Sequence, residues 1–282
     1  MQNEVDLKLI INNHNNNYTY KVESKDIYTV DSKNNKVVFK VIYTENISEM
    51  IFVPAGTTSE ENANLRLDYD IYIGKYPVTF QEYIEFTNVT EKNIPDDNGW
   101  GKDTRPVINV SWYDALEYCN WLSIKDGLEP AYDLSSSNRL DWDLRDDPEN
   151  IEGYRLPSAE EWEFAARGGT NGEATTFSGS DNLEEVGWSY RNSGDEWMDR
   201  PGEISGNNNR THPVGLKLPN ELGIYDMSGN VHEWTSTKVA ETAVRTKGGS
   251  WNISVTVSNG YNQGISAAST SIGFRVIKTA TQ

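Results

Sequence analysis

Asp226 and Glu233 flank the run Ser228-Gly229-Asn230, a pattern whose oxygens could do metal chemistry. Calcium takes about six to eight oxygens and mixes carboxylates with carbonyls that a tight turn points inward. The same residues also make a plain turn in which both carboxylates accept backbone hydrogen bonds, and both readings stand open. Any calcium here would be structural, tying down loops and not activating water. Thiol chemistry has little to work with. Cys119 is the single cysteine, which excludes an intramolecular disulfide and a cysteine metal cluster. It shares one helical face with Trp112, Ala115, Leu116 and Leu122 and reads as core. The more telling pattern is near the C-terminus. Lys247-Gly248-Gly249-Ser250-Trp251 and Ile272-Gly273-Phe274-Arg275-Val276 bracket Asn252 to Ser271, a run without Asp, Glu, Lys, Arg or Cys. In a chain that is 24% charged, about five charges are expected there. Specific residues framing small, neutral ones describe a scaffold carrying a changeable surface, which suits binding better than catalysis.

Three helices are legible as positioning elements. Thr79-Phe80-Gln81-Glu82, Ser111-Trp112-Tyr113-Asp114 and Ser158-Ala159-Glu160-Glu161 are capping boxes, the second of them weaker, in which side-chain oxygens satisfy orphan backbone N–H groups. They open helices to about Thr87, Ser123 and Arg167, the last stopping at Gly168-Gly169. Short strands are expected at Met50 to Pro54, Asp70 to Gly74, Val231 to Thr235, Thr246 to Gly249 and Gly273 to Ile277. Thr170 to Asn220, rich in Gly, Asn, Ser and Asp, should be long loops. Residues 1 to 46 read as a small β-rich N-terminal subdomain or as added strands, with Asn34-Asn35 closing a hairpin, and residues 47 to 282 as the main domain. With 9 Trp and 15 Tyr, aromatic packing should hold much irregular structure.

Composition bounds the partners. A net charge of −18 argues against nucleic acid, whose phosphates need Lys and Arg. No apolar run approaches the roughly 20 residues of a membrane-spanning segment. Met1-Gln2-Asn3-Glu4 lacks the basic start of a signal peptide, which fits a cytosolic chain or one begun after a removed leader.

A series of motifs occurs in order: Phe52-Val53-Pro54-Ala55-Gly56, Tyr76-Pro77-Val78-Thr79, Arg105-Pro106-Val107, Ser111-Trp112-Tyr113-Asp114-Ala115, Tyr154-Arg155-Leu156-Pro157-Ser158, Glu160-Glu161-Trp162-Glu163, Gly223 to Trp234, Gly248-Gly249-Ser250-Trp251 and Gly273-Phe274-Arg275. Residues 48 to 278 thereby resemble the formylglycine-generating-enzyme (sulfatase-modifying factor) family. The resemblance implies an α+β, C-type-lectin-like fold of the formylglycine-generating-enzyme type. It also implies calcium ligation by the side chains of Asp226 and Glu233 and the carbonyls of Gly229 and Val231. Asn192 matches a ligand of a second family site but lacks an acidic partner. The family's enzymes oxidise a cysteine with a copper-binding cysteine pair placed between the Gly-Gly-Ser and Gly-Phe-Arg motifs. That interval holds no cysteine here, and Ser or Asn does not replace a thiolate for copper(I). Relatives that use iron hold it with histidines; His14 lies outside the shared region, which leaves His212 and His232. No catalytic residue is therefore assigned.

The chain also resembles the variable proteins of diversity-generating retroelements, a branch of the same fold, and the match to the treponemal type is close. These mutate adenines in a C-terminal repeat. Randomising the adenines of an Asn codon gives products that include Asn, Ser, Thr, Ile, Gly, Ala, Val and Tyr, and nearly every position of Asn252 to Ser271 belongs to that reachable set; Gln263 is unreachable and reads as constant. The resemblance implies a cell-surface, lipid-anchored, monomeric protein that binds an unknown protein or glycan ligand. An oxidase of altered chemistry is the alternative. The expected contact residues are Asn252, Ile253, Ser254, Thr256, Tyr261, Asn262, Ser266, Ser269 and Thr270. Strand register decides which of them face outward. Tyr261 offers the rigid amphipathic contact common in antibody loops. Trp251 and Phe274 should be core and Arg275 a buried polar contact.

Overall fold

A computed structural model describes residues 49–200 and 206–280, with the backbone of four short strands among the first 47 residues. The chain divides into two compact units, Met1–Ile47 and Ser48–Gln282. In the first, Tyr28–Asp31 pairs antiparallel with Lys36–Phe39, and Tyr18–Thr19 with Thr44–Glu45. The expected Asn34-Asn35 turn lies outside the described residues.

In the second unit all three capping boxes form. Helix α1 spans Phe80–Thr90, α2 Trp112–Lys125 and α3 Ala159–Ala166. In each, the cap hydroxyl accepts the third helical N–H, and the third residue's carboxylate accepts the cap N–H. Cys119 is fully buried on α2 beside Leu116 and Ala115.

Two sheets carry the rest. In the smaller, Met50–Val53 and Ile277–Thr279 lie either side of Ile71–Gly74, all antiparallel. In the larger, the order is Gly260–Gly264, Ala243–Lys247, His232–Ala240, Ile272–Phe274, and only the last pair is parallel. The hairpin His232–Ala240/Ala243–Lys247 runs beyond the expected strands. The burial of its first strand falls from complete at Trp234 to exposed at Lys238 through Ala240, so the far end is a solvated ribbon with irregular register. Polar residues there hide the period that a half-buried strand would show. Gly260–Gly264 was not expected as a strand. Its glycine-bounded sequence has little β propensity, and pairing with Ala243–Lys247 makes it one. The long loop region holds one turn of helix, Leu183–Val186, and the bridge strand Gly187–Trp188. Apart from the 3-10 turn Gly169–Asn171 at its start, its other described residues are irregular, as the composition predicts.

Candidate ligand-binding face

The segment Asn252 to Ser271 is closed at both ends by one tryptophan. Trp251, 8% exposed, donates its indole N–H to the Thr270 carbonyl at 3.0 Å, bridging the two borders of the run. Its backbone N–H donates to Asn230, and its carbonyl accepts the Ser193 hydroxyl at 2.7 Å. The glycine pair before it is required by geometry. Gly248 and Gly249 have φ of +88° and +73°, and a Cβ on Gly249 would stand 2.4 Å from Val255 Cγ1.

Within the segment the chain is held largely by backbone. Tyr190 N–H donates to Ile253 O, Val257 N–H to Thr176 O and Asn109 N–H to Ser269 O. Lys247 Nζ, paired with Glu163, donates to Ser258 O at 3.0 Å. Val255, Val257 and Ile265 are buried and act as apolar pegs. A conformation held mainly by carbonyls, N–H groups and three pegs leaves the outward side chains free to differ, while a few half-buried ones also bond within the loop.

Register divides the nine expected contact residues. Ser254, Tyr261, Asn262 and Ser266 are exposed, Tyr261 at 41%. Asn252, Ile253, Thr256, Ser269 and Thr270 are half-buried. Several of these serve the loop's own order: Ser250 Oγ donates to Asn252 Oδ1, Thr256 Oγ1 to Asn259 Oδ1, and Asn259 Nδ2 to Ser254 O. Ser258 and Ala268 are exposed and belong with the outward set, although their short side chains gave no signal in the sequence. Gln263 pairs with Val244 and is half-buried. Tyr261 lies edge-on to the His232 ring, 5.0 Å between centroids. His232 is buried, and burial pushes its pKa down to about 4, so the imidazole beneath the tyrosine is neutral.

The expected calcium ligands have other partners. Glu233, fully buried, accepts Arg275 Nε on Oε2 at 2.7 Å and Arg275 Nη2 on Oε1 at 2.8 Å, and the Trp162 indole N–H also donates to Oε2. Asp226 accepts the Gly215 N–H and Asn230 Nδ2, and burial pushes its carboxyl up to about 6. A guanidinium thus occupies the cation's place at Glu233, and Asp226 serves a left-handed turn with φ of +56°. As arranged, the Asp226 and Glu233 carboxylates expected to ligate calcium are both engaged by protein donors. Among the described residues no group of three or more His, Cys, Asp or Glu could hold a metal. Of the two readings open in the sequence, the geometry matches the turn. Arg275 is the buried polar contact expected of it, and its Nη1 also donates to Gly74 O.

The sulfatase-modifying factor enzyme 1-like domain matches residues 37–280. The chain belongs to the sulfatase-modifying factor family. Within that family it is 40% identical over 218 residues to the chaperone protein LppX of Paenibacillus barcinonensis, covering 70% of this chain and 74% of that protein. It is 30% identical over 145 residues to the formylglycine-generating enzyme of Mus musculus, covering 50% of this chain but 30% of that longer protein. Among solved structures, Treponema denticola variable protein 1 superposes with a TM-score of 0.62 at 26% identity, over 90% of this chain and 98% of that one. CarF superposes with a TM-score of 0.67 at 25% identity, over 83% and 98%. The α+β fold is therefore the C-type-lectin-like fold of the family. Against the family's enzymes, this member has no cysteine in the interval they use. Burial also raises the Cys119 thiol pKa, so it stays protonated inside α2.

Proposed function

We propose that this chain is a surface-displayed ligand-binding protein, not an enzyme, whose segment Asn252 to Ser271 is diversified by a retroelement on a constant lectin-type scaffold. The observation that carries the reading is the way this segment is held. Backbone hydrogen bonds, three buried pegs and the Trp251–Thr270 closure define its path, while its outward side chains are free of charge and, Tyr261 apart, small. Likeness to a treponemal variable protein supports it. The ligand would be a protein or a glycan met by a monomer at the cell surface. Among the described residues no helix is long and apolar enough to cross a membrane, so display would use an anchor such as a lipid. Sequencing the gene from sibling cells tests the reading. Substitutions should cluster at the outward positions, chiefly 254, 258, 261, 262, 266 and 268. Lys247 to Trp251, Ile272 to Val276 and the pegs Val255, Val257 and Ile265 should stay constant. An evenly scattered or invariant pattern would refute diversification.

The 40% identity to LppX favours a second reading, in which the same face receives a client protein and does not vary. Invariant siblings together with binding to an unfolded secreted protein would select it. Copper- or iron-dependent oxygen consumption with a thiol peptide would instead return the chain to the enzymes.

A further inference from the structure

The chain's net charge is −18, yet two arginines without a carboxylate partner lie on loops that meet at the Trp251 edge of the face. Ser193 is the meeting point. Its carbonyl accepts the Arg210 backbone N–H at 3.2 Å and lies 2.9 Å from His212 Nε2, while its hydroxyl holds Trp251 O. The loop bearing Arg105 runs alongside: Val214 N–H donates to Thr104 O at 2.9 Å, and Trp100 packs edge-on to Trp251 at 5.2 Å. His212 stacks 3.7 Å from Trp188, whose other face carries Lys217 Nζ at 4.1 Å.

Lys217 feels the carboxylates of Glu184 and Asp226, but the two arginines lack a counter-charge. Arg105 and Arg210 are half-buried, and among the described residues neither guanidinium makes a hydrogen bond or an ion pair. Arg105 Nη1 and Trp188 Nε1 are sealed from solvent without an acceptor. Burial and Arg210 both lower the Arg105 pKa, and no carboxylate offsets them. His212 is held neutral at about 4, mainly by burial, with the nearby cations adding to it. Unpaired buried donors are costly, so an arrangement of this kind favours an incoming acceptor. The planar fork of a guanidinium matches an oxyanion. The acidity of the remaining surface opposes a polyanion such as a sulfated glycan, but not one carboxylate.

We propose that Arg105 and Arg210, over the neutral floor of His212, form a constant oxyanion pocket bordering the variable face, and that it receives a carboxylate presented by a protein ligand. Part of recognition is then unvarying, a charged anchor beside a changeable neutral surface. The biological occupant rests on the ligand-binding reading. The pocket itself does not, because a small probe reads it whether or not the segment varies.

The test follows the tryptophan indole N–H resonances of the ¹⁵N-labelled full chain during titration with N-acetyl-aspartate amide at constant sodium chloride. Saturable shifts of the Trp100, Trp188 or Trp251 signals are expected, assigned by Trp→Phe variants. Arg105→Gln and Arg210→Gln should each weaken binding about tenfold or more, with Arg105→Lys intermediate. Melting curves identify any variant that unfolds, and Arg210, on a surface loop, keeps the test standing if Arg105→Gln does. Linear shifts, native affinity in both Gln variants, or tighter binding of a sulfated disaccharide would each overturn the proposal.

Discussion

The floor around Glu233 and the face from Asn252 to Ser271 lie side by side and are held by different means. The floor is ionic and fully buried: Arg275 forks onto Glu233, and Arg155 onto Glu161 at 2.7 and 2.8 Å. Each charge depends on its partner, so no position there can change alone. The face has no ionic side chain of its own, and its path is held by carbonyls, N–H groups and a few apolar pegs. Side chains that do not hold the backbone can be exchanged without loss of the fold. The difference teaches how one domain can be rigid and changeable within a few residues.

The contrast can be broken in several ways. The largest effect belongs to the floor. Arg275→Met leaves a buried carboxylate uncompensated and should cost about 3–5 kcal/mol in chemical denaturation; an unchanged unfolding midpoint would mean the ion pair is not structural. Trp251→Ala removes the closure of the face and should cost about 3 kcal/mol. Trp251→Phe, losing chiefly the bond to Thr270, should cost about 1 kcal/mol.

The next effect is pH dependence. His212 has an ordinary pKa of 6.5 when unfolded and about 4 when folded. The unfolded chain therefore binds the proton first, and the stability that neutral His212 contributes above pH 6.5 is lost as pH falls toward 4. His212→Gln should flatten that slope by on the order of 1 kcal/mol, measured as the difference between variant and native melts at pH 7 and pH 4.5. Exchanging Ser254, Ser258, Asn262 and Ser266 together should shift stability by less than about 0.5 kcal/mol per residue. A cooperative collapse there would show that these side chains hold the face after all. Smallest of all, calcium or a chelator should leave the melting temperature unchanged, because Arg275 already neutralises Glu233; a rise with calcium would restore the ion.

Much of the framework was legible in the sequence because local rules write it there. The capping boxes at Thr79, Ser111 and Ser158 need only residues three apart, and all three form. The burial of Cys119 follows from helical spacing. The site was less legible. Asp226 and Glu233 carry the oxygens calcium would use, and nothing local to them announces that Arg275, 42 residues on, takes up Glu233. Nor could spacing show that Val255 and Val257 point inward while Ser254 and Ser258 point out. That depends on contacts with Gly249 and Thr176, which are distant in sequence or made by a turn.

By itself, then, the sequence determined the helix starts, the family motifs and the loss of the thiols, since each is a matter of residue type at short range. Only the tertiary structure decided which carboxylates are engaged, which segment residues face solvent, and which guanidiniums are left without a carboxylate partner. Burial and charge pairing are made by long-range contacts, and those exist only once the sheets and loops have been brought together.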